Sequence, residues 1–144
     1  MAGSFSDFTE KKVLDLLWGA VALTASGTLY VGLSTATITD ATTGITVVEP
    51  STVNTAYARV AVTNNLTNFP AAAGTTPTLK QNGTAINFPV CTTNWGTVTD
   101  FFIADGAAVA TGSILGYAPL TTPKTISSGD SSSFSVNSIS ITLD

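Results

Sequence analysis

The side chains of this chain that could do chemistry are few and stand apart. Histidine is absent, cysteine occurs once, and nine acidic residues accompany five basic ones. Proton transfer near neutral pH usually draws on an imidazole, a clustered carboxylate pair or a metal-bound water. The carboxylates whose spacing invites attention are Asp100 and Asp105, near the end of one apolar run, and Asp40 and Glu49, which bracket a loop. A glycosidase-type acid and base could be assembled from two of these. Nothing in the spacing demands it. Isolated carboxylates in so weakly charged a chain read first as solvated or turn-capping groups, and Asp105 before Gly106 has the form of a turn.

The other chemistries fare no better. Cys91 has no partner for an intramolecular disulfide and reads as a small apolar residue rather than a nucleophile. The many serines lack a histidine or a neighbouring lysine to act as base. Neither a histidine-cysteine set nor an Asp-x-Asp-x-Asp-Gly run is present for a metal. Gly112 and Gly116 lack the rest of a phosphate loop. The reading is therefore non-enzymatic, with no cofactor, no metal and no catalytic residue expected. Trp95, Tyr57 and Tyr117 could stack on sugar faces. The alternative for Tyr57 and Trp95 is that they close the end of a β module, because ring burial is a dominant core contribution.

Charge narrows the partners. The net charge is −4, and Lys11, Lys12, Arg59, Lys80 and Lys124 are dispersed without interleaved aromatics. Nucleic acid is not an expected partner. Lys11 and Lys12 precede an apolar stretch from Val13 to Leu23, but Asp15 interrupts it, and Asp7 and Glu10 stand where a secretion signal is basic. No run is long enough to span a bilayer. Synthesis in a cytoplasm, without a visible export route and without a membrane partner, is the expectation.

The elements that must position these residues are mainly β. One short N-terminal helix is predicted, capped by Ser6 or Asp7, with Glu10 in the first turn and Val13, Leu16, Leu17 and Ala20 on one face. Gly19 is its terminator. From Thr28 onward the period becomes two: Leu29, Val31 and Leu33 share a face, Arg59 and Ala61 alternate with Val60 and Val62, and Ile86 alternates with Phe88. Val98–Ile103 is an apolar run broken by Asp100, as in a strand covered on both faces. Ile114–Ala118, Ser133–Val136 and Ile139–Leu143 complete the set. All six prolines are placed at or between strand ends. Two almost uncharged stretches, Ala36–Ser51 and Asn64–Lys80, read as long loops that are functional or ordered by a partner. The expected architecture is a single domain over 1–144, an antiparallel β-sandwich or barrel of roughly seven to nine strands. An N-terminal arm and helix occupy 4–20 and the β module 28–144.

In collinear order, SFSDFTEKKVLDLLWG (Ser4–Gly19), LYVGLS (Leu29–Ser34), Glu49-Pro50, YARVAVTNN (Tyr57–Asn65) and NFPAA (Asn68–Ala72) are followed by further strings. These are NGTAINFP (Asn82–Pro89), WGTVTDFFIAD (Trp95–Asp105), SSGD (Ser127–Asp130) and the terminal ITLD. Together they resemble a group of small virion structural proteins of tailed bacteriophages, variously described as head decoration or tail-fibre-like. The resemblance implies a β-rich, non-enzymatic particle component made in a host bacterial cytoplasm. The leading expectation is a capsid decoration (cement) protein on the head surface, bound to the major capsid protein lattice and stabilising it by mass action. A homo-oligomer, with a trimer favoured, fits such a subunit. The alternative is a tail fibre, baseplate or adaptor subunit that touches tail proteins and a host glycan. The interface candidates are Phe5, Phe8, Lys11, Lys12, Trp18, Tyr57 and Trp95. Removal of Met1–Phe8 is expected to abolish attachment and leave a folded β module.

Overall fold

Alternating β-branched and aromatic residues, punctuated by Gly, Asn and Ser, favour pleated segments over helices throughout residues 28–143. The structure, a computed structural model, describes residues 2–75 and 77–143; Met1, Thr76 and Asp144, the last residue of the ITLD string, lie outside the described residues. In chain order the elements are β1 (Ala2–Phe5), α1 (Asp7–Gly19), β2 (Thr28–Ser34), β3 (Val60–Thr63) and β4 (Thr78–Gln81). They continue as β5 (Ile86–Asn87), β6 (Gly96–Ala104), β7 (Ile114–Ile126), β8 (Ser133–Phe134) and β9 (Ser140–Leu143).

Seven strands are hydrogen-bonded in the order β3-β2-β6-β7-β1-β9-β4, and β5 and β8 form a separate antiparallel pair. The mainly β architecture with one N-terminal helix is as expected, but the order ends at β3 and β4 and does not close into a barrel. One pairing departs from the antiparallel scheme. The first half of β1 runs parallel to β9 (Ala2 opposite Ser140), and its second half runs antiparallel to β7 (Ser4 opposite Tyr117).

Strand β6 is the spine. Phe101 and Ile103 point into the larger core with Val31, Leu33, Phe134 and Ile139, while Phe102 and Ala104 point into a second core. There they meet Ile114, together with Ile38 and Val47 from the stretch between β2 and β3. That stretch, expected as a long loop, folds back as a lid on the second face of the sheet. Gly32 sits opposite Phe102, and a Cβ there would lie 2.2 Å from the ring, so the position is closed to any larger residue.

Three other expectations are corrected. Residues 4–5, read as the start of an arm, belong to strand β1 inside the sheet. Strand β4 begins inside the predicted loop 64–80 and ends one residue past it, and its four residues are too short a run to show a period. Pro119 and Pro123 lie within β7 rather than at its ends; the β6 register shifts between Val98 and Asp100, opposite Pro119, and such bulges tolerate the missing donor. None of the helix's residues is buried.

Only the root of the helix is fixed. Ser6 is extended at the N-cap, but its hydroxyl donates to the Ile114 carbonyl instead of capping. The Asp7 amide donates to the Asp40 carbonyl at 3.1 Å, and the Thr9 hydroxyl to the Leu115 carbonyl at 2.7 Å. Beyond Val13 the helix projects, ending at Ala20 in the left-handed region, with the Val21 amide bonded back to the Asp15 carbonyl.

Candidate functional site

Two arrangements stand out, one buried and one exposed. The buried one is built by Glu49, at the end of the lid, with Tyr57 and Arg59, which lead into β3. Glu49 and Arg59 form a salt bridge at 2.6 Å with both side chains fully inaccessible. The Arg59 Nε lies 3.1 Å from each Glu49 oxygen. Its Nη1 donates to the carbonyls of Gly106 and Thr111 at 2.8 and 2.9 Å, and its Nη2 also reaches the Gly44 carbonyl at 3.1 Å. Every guanidinium donor is therefore bonded, as a buried charge requires. The Tyr57 hydroxyl donates to Glu49 Oε2 at 2.8 Å and accepts from the Leu33 amide at 2.9 Å. Burial first, then the Glu49 charge, raises the Tyr57 hydroxyl far above its ordinary range. The guanidinium also lies over the Phe102 ring, 5.0 Å from its centroid.

This cluster ties the lid, the loop after β6 and strands β2 and β3 into one body. Its members are saturated by one another and sealed from solvent, so it is a structural clamp. The resemblance strings contain all three residues, but in the sequence Glu49 and Arg59 stand as separate charges and Tyr57 as an aromatic ring. The signal available was an arginine alternating with valines on an apolar strand, a position that demands a buried counter-charge.

The carboxylates weighed as an acid–base pair occupy separate settings. Asp100 is buried in β6 opposite Ser34 and Pro119. Asp105 accepts from the Ser113 amide at 2.6 Å, closing the turn after β6. Asp40 accepts from the Tyr117 hydroxyl. Burial, that hydrogen bond and the charges of Asp40, Glu10 and Asp100 push Tyr117 up to about 12. Cys91 is fully buried, with its thiol on the Thr93 carbonyl at 3.1 Å. Among the described residues no three acidic or thiol groups converge in a geometry that would hold a metal ion, and no helix is long and apolar enough to cross a membrane.

The proposed interface residues divide. Tyr57 and Trp95 are each only 4% exposed and stack edge-to-face at 5.2 Å, and the Trp95 Nε1 donates to the Thr55 carbonyl. They are core residues, so the structure withdraws both from any contact surface and from any sugar platform. Phe5 is half-buried at the root of the helix, whereas Phe8, Lys11, Lys12 and Trp18 are exposed on it. Lys12 lies over the Phe8 ring at 5.7 Å.

The exposed arrangement is the outer part of this helix. Leu14, Leu17 and Trp18 are 53, 62 and 79% exposed, and Val21 and Leu23 continue the apolar surface past the C-cap. The outer part of the helix, 13–19, is apolar but for Asp15, and an exposed apolar patch of this kind marks a contact site. A second apolar surface lies beside the helix root: an open cleft of about 250 Å³ whose walls include Phe5, Leu29, Phe69, Leu79 and Ile141. The cleft draws on β1, β4, β7 and β9 together, so no local sequence pattern announces it.

A sealed β body that presents an exposed apolar helix and an open, mainly apolar cleft has the surfaces of a structural subunit. Comparison with known families agrees. The sequence profile of the family described as Podophage GP4 fiber I protein gp80 matches residues 4–142, and the chain belongs to that family of phage virion structural proteins. A search of curated proteins finds no match.

Proposed function

We propose that this chain is a subunit of a fibre on a tailed-phage particle, with a structural rather than catalytic role. The carrying observation is the family match over almost the whole chain, to a fibre protein by description. It favours the fibre alternative over the capsid-decoration reading that led the sequence analysis. The projecting apolar helix supports it, since an element with no buried residue on its own domain is material for a subunit contact. The partners of this reading are further copies of the chain, with a trimer favoured, and the tail proteins that anchor the fibre. The chain contains no long repeat or heptad stretch for a shaft, so it supplies a globular section of the appendage.

The test is position and copy number on purified particles, by labelling with an antibody to the β body and by quantitative mass spectrometry against the major capsid protein. Label at the tail or collar appendages, with roughly a few tens of copies per particle, is the expected result. Label over the whole head, in a fixed ratio to the capsid subunit, overturns the fibre reading in favour of decoration.

A further inference from the structure

We infer that the projecting half of α1 in one copy seats in the apolar cleft of a second copy. The inference deepens the fibre reading and rests on its premise that copies of this chain assemble on one another. The two surfaces are unpartnered within the chain and match in chemistry. From Val13 to Leu23 the helix and its exit carry one charge, Asp15; the lining of the cleft also carries one, Lys80. Among the described residues neither has an ion-pair partner, the chain's salt bridge being Arg59–Glu49. Lys80 instead places its Nζ 2.9 Å from the Pro70 carbonyl, at the cleft's edge. Seating Trp18 in the cleft brings Asp15, three residues back on the same side of the helix, toward Lys80.

Size and geometry fit the same occupant. A cleft of about 250 Å³ takes one or two large side chains but not a whole helix, so the helix lies across its mouth with Trp18 inserted. The helix leaves the domain from the wall of its own cleft, since Phe5 and Thr9 line it, while Leu14–Leu23 are exposed. The free half therefore does not fill its own cleft. Each copy offers one helix and one cleft, which makes the contact heterologous: it closes into a ring where the rotation per step divides a full turn.

Three proteins test this in solution: the full chain, Trp18→Asp and Ala72→Trp, the last filling the cleft from an exposed position on its wall. Near-ultraviolet circular dichroism from buried Trp95 reports that each is folded. By sedimentation equilibrium the full chain is expected to self-associate at micromolar concentration and each variant to be monomeric. An equimolar mixture of the two variants should form a heterodimer and nothing larger, because one intact helix meets one intact cleft. A mixture that stays monomeric overturns the inference, and so does an Ala72→Trp protein that still self-associates, since its helices would then be packing on one another. A full chain that stays monomeric at about 100 μM overturns it too. Asp15→Lys and Lys80→Asp should each weaken association at least tenfold, and the double exchange should restore it. Absence of rescue overturns the pairing. None of these readouts depends on where the protein sits on the particle, so the inference and the fibre reading fail separately.

Discussion

Replacing Glu49 by glutamine removes one negative charge and almost no volume from a pocket in which every donor of Arg59 is bonded. The variant amide can still accept from Arg59 through its oxygen. Its nitrogen, placed at the Oε2 position, meets the Tyr57 hydroxyl, whose proton can turn to the Leu33 carbonyl 3.2 Å away. The hydrogen bonds are therefore largely rebuilt, and what is lost is the counter-charge of a fully buried guanidinium. Removing one partner of a buried pair costs about 3–5 kcal/mol, and the rebuilt bonds place Glu49→Gln near the lower end, about 3 kcal/mol. That multiplies the unfolded fraction by about a hundred and lowers the melting temperature by about 10 °C. Urea unfolding followed by the fluorescence of buried Trp95 measures it, in a Trp18→Phe background so that one indole reports. Arg59→Met should cost more, because it strands the Glu49 carboxylate together with the carbonyls of Gly44, Gly106 and Thr111. The double variant Glu49→Leu, Arg59→Met should recover much of either loss. A Glu49→Gln loss below about 1 kcal/mol, or strictly additive costs in the double variant, would refute the clamp.

Three further outcomes are expected. Gly32→Ala should destabilise by about 1–3 kcal/mol or prevent folding, since its methyl would overlap the Phe102 ring; an unchanged urea midpoint counts against the packing described. Tyr117 keeps its proton more tightly in the folded chain than in the unfolded one, so its contribution to stability is complete below about pH 10 and lost as pH rises toward 12. Tyr117→Phe should therefore flatten the stability-versus-pH curve in that window, and parallel curves would show that the hydroxyl is not held by Asp40. Deleting residues 1–8 should yield an unfolded or aggregating chain, because it empties the place of β1 between β7 and β9; a cooperative β unfolding transition in the deleted protein would contradict this.

Where local pattern and tertiary environment agree, the sequence was legible. The Leu29, Val31, Leu33 alternation and the Val98–Ile103 run are β2 and β6, and their burial follows from the period alone. The helix was legible in position, but its destination was not: periodicity shows an apolar face and is silent on which molecule covers it. Residues 2–5 gave no strand signal because their pairing is supplied by segments more than a hundred residues away. The clamp was hidden for a related reason. Glu49, Tyr57 and Arg59 each look ordinary alone, and only the lid's return onto the sheet makes one charge answer the other. Trp95 and Tyr57 were read two ways, and their burial decides between them.

The place of β1 also orders the chain's birth. Its residues leave the ribosome more than a hundred residues before the strands that flank them, β7 and β9. The residues of β1 must wait, unpaired, until β7 and β9 have been made, while the helix that follows them needs only local bonds to form. Phe5, Leu115 and Ile141 wall the cleft together, so the cleft comes into being only when β9 locks in. A prematurely terminated chain would bear a helix and no cleft, able to attach to the end of an assembly but unable to receive the next subunit.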